Sequence, residues 1–253
     1  MNAPIVMAPS AQRSDFLRTL DAVAANMGLG SAEAVQKAYK VYDDVLVMPQ
    51  PLSPSSSTYT FNPVTAVDTP VPTENKMDKN DWFAVTGVGL RFTRADYASA
   101  TGLLSNYGNY DQFTYPYAQV FSGAAAGGAK SEADALNTIL RGTLGLQVST
   151  DLQWQIPCTE LVYKDVQYTG GTFTPTFGSS AGQRGVFPLS SIVLLNGGSD
   201  NKLVLNLSTY GDKTVIDGSV SGATTRNLIV PVLFGIRIKN VAAGGYSIAN
   251  CRL

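Results

Sequence analysis

The chain has 253 residues, of which 44% are hydrophobic and only 15% are charged, and its net charge is −1. That hydrophobic content allows a packed core and excludes general disorder, while the neutral balance excludes a basic field that would hold nucleic acid. No stretch approaches the ~18 apolar residues of a membrane span, and the first residues lack a secretory signal. We therefore expect a protein made in the cytoplasm, without specific nucleic-acid recognition.

Residues 1–48 are predicted to form an N-terminal unit, with a tail over 1–13 and then two short helices. Ser14 can cap the first helix, which Gly28 ends, and Ser31 can cap the second. Helices of about three turns are unstable alone, so these must dock on the rest of the chain, on a neighbouring copy or on another molecule. Their apolar faces supply candidate interface residues, namely Phe16, Leu20, Val23, Met27, Tyr39 and Tyr42.

Residues 49–253 are predicted to form one β-sandwich domain of about eleven strands. A stretch rich in proline and serine follows Pro49, and beyond it apolar residues alternate with period two. Such alternation is typical of antiparallel strands with one face in the core and one in water. In the closing strand, the polar face is expected to carry Gly235, Arg237 and Lys239. The apolar sets are Val88, Leu90 and Phe92; Phe113, Tyr115 and Tyr117; Leu144, Leu146 and Val148; Leu203, Leu205 and Leu207; and Val232, Phe234, Ile236 and Ile238.

One further helix is predicted near residues 131–141. Ser131 and Asp134 fit an acidic variant of the capping box, and Gly142 is placed to end the helix. Glycine pairs such as Gly197-Gly198, together with Gly211 and Gly218, predict tight turns between strands.

The most informative chemical feature is the absence of histidine. It excludes Ser-His-Asp and Cys-His nucleophiles and most zinc sites, so the G-x-S-x-G match at 178–182 has no base. A carboxylate pair of the glycosidase kind stays open, through Asp78 with Asp81, or among Asp96, Asp111 and Glu160. No spacing singles out a pair. We predict no catalytic residue, cofactor or metal, and a protein that is not an enzyme.

The two cysteines, Cys158 and Cys251, are too few for a disulfide framework. Two buried thiols are favoured over a single bridge, which stays open as the alternative.

A cluster of aromatic residues lies between positions 107 and 121. Tyrosine combines a large contact area with a polar tip, which suits protein interfaces and sugar-binding faces. A strand with an ordinary core-facing side explains the cluster equally well. The tyrosines retained as candidate interface residues are Tyr110, Tyr115 and Tyr117.

The order of parts along the chain resembles a known family. A helical N-terminus and an extended segment precede the strand Trp82-Phe83-Ala84-Val85-Thr86-Gly87-Val88-Gly89-Leu90-Arg91-Phe92, and a mid-chain helix precedes the apolar closing strand from Leu228 to Ile238. Over residues 14–253 this order is similar to the jelly-roll major capsid proteins of tailless icosahedral bacteriophages. The resemblance implies a jelly-roll β-sandwich, with the N-terminal helices on the inner side of a shell. A single elaborated jelly roll is favoured over a compact double one, since the strand count falls short of sixteen.

The resemblance implies a structural virion protein, a major capsid protein that self-assembles in many copies into an icosahedral shell. It would be made in the host cytoplasm, reside in the virion, and contact other capsid proteins and an internal membrane or the genome on its inner face. Low charge and Gly/Ser/Thr-rich loops suit wide contacts between copies. The alternative is a carbohydrate-binding or adhesin-like β-sandwich of a spike or fibre, with the tyrosines as its stacking platform.

Overall fold

The structure is a computed structural model that describes residues 10–64, 75–98, 103–105, 129–162, 166–169, 172–175, 185–218, 225–239 and 241. Within these ranges the helices are α1 (Ser10–Asn26), α2 (Ala32–Ala38), α3 (Ala129–Leu140) and α4 (Cys158–Leu161). The strands are β1 (Lys40–Val47), β2 (Gln50–Pro51), β3 (Thr58–Phe61), β4 (Trp82–Ala98), β5 (Leu103–Ser105), β6 (Thr143–Val148), β7 (Asp151–Pro157), β8 (Val166–Thr169), β9 (Thr172–Pro175), β10 (Phe187–Asn196), β11 (Asn201–Asn206) and β12 (Thr225–Lys239).

The strands form two main antiparallel sheets. The first sheet has the order β1-β12-β4-β10, with β2 added to β12 and β5 added to β4. The second sheet has the order β3-β11-β6-β7, and β8 and β9 pair as a separate hairpin. The predicted all-β class is confirmed, because antiparallel strands dominate and the helices are few.

A continuous hydrophobic core joins residues of both main sheets, with Ile139 of α3 and Cys158 of α4 added to it. The predicted apolar faces of β4, β6 and β11 are confirmed as core faces. Their fully buried members are Val88, Leu90, Phe92, Leu144, Leu146, Leu203 and Leu205. Helix α3 is also confirmed, although it begins at Ala129, two residues before the predicted cap Ser131. A side chain at Gly142 would come within 2.5 Å of the Asn206 carbonyl oxygen, so glycine allows the backbones to meet there.

A one-residue bulge sets the faces of β4. Val85 pairs with Gly235 and Gly87 pairs with Phe234, which leaves Thr86 as the extra residue. Its hydroxyl donates a hydrogen bond of 3.3 Å to the Phe234 carbonyl oxygen. The bulge reverses the alternation, so Val85 and Val88 both face the core despite their odd spacing.

The prediction of a water-exposed polar face on β12 is wrong. Arg237 lies on the same face as Leu233, which points into the core, and it is only 6% exposed. Ile236 and Ile238 lie on the opposite face and pack beneath α1 and α2. This end of the strand is buried on both sides, because helices cover Ile236 and Ile238 on one face and carboxylates surround the Arg237 guanidinium on the other.

Helix α1 begins at Ser10, four residues before the predicted cap Ser14. It ends as predicted at Gly28, whose φ of 70° places it in the left-handed region. The Leu29 amide donates to the Ala24 carbonyl oxygen at 2.8 Å, and the Gly28 amide donates to the Ala25 carbonyl oxygen at 3.3 Å. These two bonds form a Schellman motif, which satisfies carbonyl groups at the helix end.

Helix α2 is shorter than its apolar periodicity suggests. Ser31 caps it as predicted, and Asp21 of α1 also accepts a 2.8 Å hydrogen bond from the Ala32 amide. The helix ends at Tyr39, whose backbone is extended, and β1 follows at once. Tyr42 therefore lies on a strand, and residues 40–47 of the predicted N-terminal unit belong to the first sheet. Pairing of this stretch with β12, which lies far away in sequence, decides the outcome.

Candidate contact surface

One end of the outer face of the first sheet is covered by the helical hairpin, which consists of α1, α2 and the turn between them. Leu228 and Val230, further along β12, form a separate cluster with Ala95. Leu20 and Val23 of α1 and Val35 of α2 are at most 1% exposed and pack on Ile236 and Ile238 of β12. This cluster is formed entirely within the chain. The helical hairpin therefore docks on the first sheet of its own molecule.

The sequence-predicted interface residues of the helices thus have partners inside the molecule. Leu20 and Val23 lie in the hairpin cluster, and Phe16, Met27 and Tyr39 pack partly buried around it.

Tyr42 is half-buried on β1 opposite Arg237, with the Lys40 ammonium 5.8 Å from the centre of its ring. The remaining candidates, Tyr110, Tyr115 and Tyr117, lie outside the described residues, as do the whole aromatic stretch 107–121 and the G-x-S-x-G match.

Beneath the hairpin, one end of the core holds an ion cluster made of Asp44, Asp78, Asp81, Arg237 and Lys239. The Arg237 Nε lies 2.6 Å from an Asp44 carboxylate oxygen, and the Arg237 Nη1 lies 4.0 Å from a carboxylate oxygen of Asp81, which is fully buried. The Lys239 ammonium lies 3.2 Å from Asp78 and 3.4 Å from Asp81. Burial lowers the pKa of Lys239, but the hydrogen bond that its ammonium donates to Asp78 and the negative charge of Asp81 outweigh this effect, so the pKa is raised.

Asn75 connects this ion cluster to the backbone. Its side chain accepts a 3.2 Å hydrogen bond from Arg237 and donates one of 3.0 Å to Asp44, while Arg237 also donates to the Lys76 carbonyl oxygen at 3.1 Å. The network ties β1, residues 75–81 and β12 together. It provides a structural explanation for Asp78 and Asp81, which were candidates for a glycosidase pair.

The other candidate carboxylates are dispersed. Asp96 accepts a 3.3 Å hydrogen bond from the Thr225 hydroxyl in the β4–β12 pair, and Glu160 is exposed on α4. Asp111 lies outside the described residues.

The outer face of the second sheet is not covered by the hairpin and is here called the open face. Alternation with the core residues places on it Thr58, Thr60, Thr143, Gly145, Gln147, Leu152, Gln155, Lys202, Val204 and Asn206. Its one charged side chain, Lys202, lies 2.6 Å from Asp200. The described residues of this face therefore carry almost no net charge.

Side chains of the open face are ordered by contacts with one another. Thr58 donates a 3.0 Å hydrogen bond to Asn206, and Gln155 donates one of 2.9 Å to Thr143. Leu152 lies across Gly145, its methyl carbon 3.2 Å from the place where a β-carbon would stand, and is 53% exposed. The face therefore presents one large apolar side chain within a pre-ordered polar surround.

The sheet edges formed by β7 and β10 are poorly suited to strand addition. In β7, Gln153 is an extra residue between the pairs Trp154–Leu146 and Leu152–Gln147. In β10, pairing with β4 is interrupted between Pro188 and Val193. Bulges and prolines of this kind protect edges from pairing with other chains. Strand addition along these two edges is therefore disfavoured.

The described residues offer little for small-molecule or metal chemistry. A cavity of about 250 Å³ lies where the two sheets meet and is lined by Met48, Pro49, Gln50, Thr60, Phe61, Asn62 and Lys76. Among the residues described, no three His, Cys, Asp or Glu side chains gather as a metal site. Likewise, no helix in those ranges is long and apolar enough to cross a bilayer.

Cys158 is a free thiol without exposed surface, and burial raises its pKa to about 12. It is therefore protonated at neutral pH and unsuited to act as a nucleophile. Cys251 lies outside the described residues.

The open face could not be identified from the sequence, because its members are ordinary threonine, glutamine and asparagine residues on four separated strands. The nearest sequence signal was the period-two alternation, which shows only that these residues alternate with buried leucines along each strand. Comparison with protein-family models, with curated proteins and with solved structures gave no match. What the chain does is therefore inferred from its own strand order and surfaces.

Proposed function

We propose that the two main sheets form a single jelly roll. The eight principal strands, numbered 1 to 8 in chain order, are β1, β3, β4, β6, β7, β10, β11 and β12. In this numbering the first sheet has the order 1-8-3-6 and the second has the order 2-7-4-5. Strand pairs 1–8, 2–7, 3–6 and 4–5 are thus antiparallel neighbours, as expected when one long hairpin rolls up into two Greek keys.

The number of principal strands favours one jelly roll over two, since a double form needs about sixteen. The four remaining described strands, β2, β5, β8 and β9, are at most four residues long. They are read here as elaborations of a single unit.

We further propose that the protein is a major capsid protein that assembles in many copies into an icosahedral shell. Jelly rolls recur in viral capsids and in lectins. The observation that carries the proposal is the combination of this strand order with a helical hairpin packed on the outer face of the first sheet. A rigid sandwich in a chain with only 15% charged residues is suited to repeated contacts with identical copies.

In this proposal the helical hairpin lies on the inner side of the shell. Other capsid proteins, and a membrane or genome enclosed by the shell, are its further partners there. The carbohydrate-binding alternative depended on Tyr110, Tyr115 and Tyr117, and no described residue adds support to it.

The test is the size of the purified full chain, measured by size-exclusion chromatography with light scattering and by negative-stain electron microscopy. We expect particles of uniform size with many copies, in equilibrium with free subunits. A chain that stays monomeric at high concentration and at every salt concentration would contradict the proposal. Glycan-array binding, or hydrolysis of simple glycosides, would favour the lectin or enzyme alternative instead.

A further inference from the structure

We infer that the free edge of β1, formed by the outward backbone groups of Val41 and Asp43, pairs with the same edge of a second copy of this chain. The two strands would run antiparallel across a two-fold axis. The inference rests on the proposed function and identifies one edge through which copies meet. With the helical hairpin on the inner side of the shell, the edges of the sheets are turned towards neighbouring subunits. An icosahedral shell contains two-fold axes, and a contact across such an axis uses the same residues of both copies.

The position of β1 determines which of its backbone groups face outwards. β1 lies at one end of the order β1-β12-β4-β10, and its pairing with β12 runs through all eight residues without a bulge. Just beyond the strand, the Met48 amide donates to the Pro231 carbonyl oxygen of β12 at 3.2 Å, whereas the Val47 amide donates to Asn75 on the other side at 2.8 Å. Even-numbered residues therefore bond to β12, and odd-numbered residues direct their amide and carbonyl groups away from the sheet.

Half of this outward edge is occupied within the chain. Val47 exchanges two backbone hydrogen bonds with Asn75, and the Asn75 side chain donates one of 2.6 Å to the Val45 carbonyl oxygen. Val41 and Asp43 form no such bond on this side with the residues that the structure describes. The part of the edge that another strand can use is therefore limited to these two residues.

Two copies of the free edge are complementary in their hydrogen-bonding groups. When two β1 strands run antiparallel with Tyr42 opposite Tyr42, Val41 of each copy lies opposite Asp43 of the other. A hydrogen-bonded pair of this kind exchanges two bonds, so the two pairs satisfy every amide and carbonyl group of both free edges. The first sheets of the two copies then become continuous across the axis.

The charges along β1 favour the same register. It places Lys40 of each copy opposite Asp44 of the other, on the face that also carries Tyr42. Lys40 is exposed, and the Asp44 side chain keeps 16% exposure beside its ion pair within the chain. Opposite charges directly across two antiparallel strands stabilise their pairing. A second copy provides this match by symmetry, whereas an unrelated extended peptide does not.

One pair of like charges opposes the contact. The two Asp43 side chains lie diagonally across the axis on the other face, at a separation of about 7–8 Å. Their repulsion is weak at such a distance in water, about two-fold in the pairing constant. It predicts that neutralising Asp43 strengthens the pairing.

The other described edges are less suited to self-pairing. Bulges interrupt β7 and β10, and β3 is four residues long without a charged side chain that would fix a register. The β1 contact is itself small. Pairs of free subunits should therefore be weak, and pairing should persist where several contacts act together, as in a closed shell.

The experiment uses the full chain, with two variants at β1 and a matched control for each. Asp43→Pro removes an amide hydrogen that faces away from β12, so the ladder within the chain is kept while the contact between copies loses two bonds. Asp43→Asn is its control, because it retains the backbone groups. Lys40→Glu places a carboxylate opposite Asp44 of the other copy. Its control, Lys37→Glu, makes the same charge change at an exposed position of α2. Circular dichroism and thermal melting establish that every variant folds.

We expect Asp43→Pro to raise the protein concentration needed for assembly about ten-fold or more, and Lys40→Glu to raise it severalfold. Asp43→Asn should assemble at the normal concentration or at one up to about two-fold lower, and Lys37→Glu should behave like the unmodified chain. Normal assembly of both Asp43→Pro and Lys40→Glu would overturn the inference and leave the shell proposal standing. Failure of Asp43→Asn as severe as that of Asp43→Pro would also overturn it.

Hydrogen exchange of the Val41 and Asp43 amides tests the pairing directly. We expect slow exchange in particles or pairs and fast exchange in free subunits. Fast exchange in particles would overturn the inference, and slow exchange in the monomer would overturn it by showing that the chain covers its own edge. Slow exchange in pairs that never form particles would support the inference while the shell proposal fails. If the unmodified chain neither pairs nor assembles at the highest attainable concentration, both fail.

Discussion

Two ion pairs in this protein have the same separation and opposite environments. Arg237 and Asp44 lie 2.6 Å apart with side chains 7% and 16% exposed, whereas Lys202 and Asp200 also lie 2.6 Å apart with side chains 41% and 57% exposed. Removing the carboxylate from each pair separates the effect of burial from the effect of distance. We expect Asp44→Ala to be strongly destabilising and Asp200→Ala to be nearly neutral.

The expected loss of stability for each substitution depends on the contacts, with protein or with water, that remain to Arg237 or Lys202. Loss of one partner of a buried pair costs about 3–5 kcal/mol, because the remaining charge stays out of water. Arg237 would retain its hydrogen bonds to Asn75 and the Lys76 carbonyl oxygen, so the lower end, about 3 kcal/mol, is expected for Asp44→Ala. Lys202 is free to return to water, and Asp200→Ala should cost at most about 1 kcal/mol.

The assay is urea unfolding of free subunits, followed by tryptophan fluorescence, with the slope compared between variants. For a chain of this size, about 3 kcal/mol corresponds to a fall in melting temperature of roughly 6–12 °C. Near-equal costs for the two substitutions, within about 1 kcal/mol of each other, would refute the conclusion that burial governs the ion cluster.

Three further predictions concern a glycine, a thiol and the helical hairpin. A side chain at Gly235 would collide with a carbonyl oxygen of β4, so Gly235→Ala should cost about 1–3 kcal/mol or more, while Gly30→Ala, with open space around it, should change urea unfolding by under about 1 kcal/mol. The pKa of Cys158 is raised from 9.0 to about 12, so its contribution to stability is present below pH 9 and is lost as the pH rises towards 12. Cys158→Ala should flatten that alkaline loss, and a fall in stability with pH that is unchanged in this variant would refute the assignment. Leu20 lies in the helical hairpin and is fully buried against the first sheet. Leu20→Ala should therefore speed tryptic cleavage at Arg18 severalfold without loss of the β-sheet circular dichroism signal. An unchanged cleavage rate would show that docking of the hairpin does not depend on this contact.

Local sequence patterns predicted much of the secondary structure. Period-two alternation identified the core faces of β4, β6 and β11, because a leucine at every second position can be buried only by an extended chain on a sheet. Helix α3 and the end of α1 at Gly28 were also predicted from the sequence. Apolar spacing and a terminal glycine are signals that extend over only one or two helical turns.

The faces of β12 and the fate of Tyr42 were settled only by tertiary structure. Alternation distinguishes the two sides of a strand but does not say what covers each side. In β12 the helical hairpin buries Ile236 and Ile238, and the carboxylates of the ion cluster compensate the charge of Arg237 in the core. Tyr42 has helical spacing from Tyr39, but pairing with a strand almost 200 positions later outweighs that local preference.

The sequence by itself determined that this protein is an all-β chain with short helices, since strand and helix signals depend on neighbours a few residues apart. Tertiary structure alone decided the strand order, the direction in which Arg237 points and the position of the open face. Each of these depends on pairing between strands that are distant in sequence, and many registers satisfy the same alternation until the partners are known.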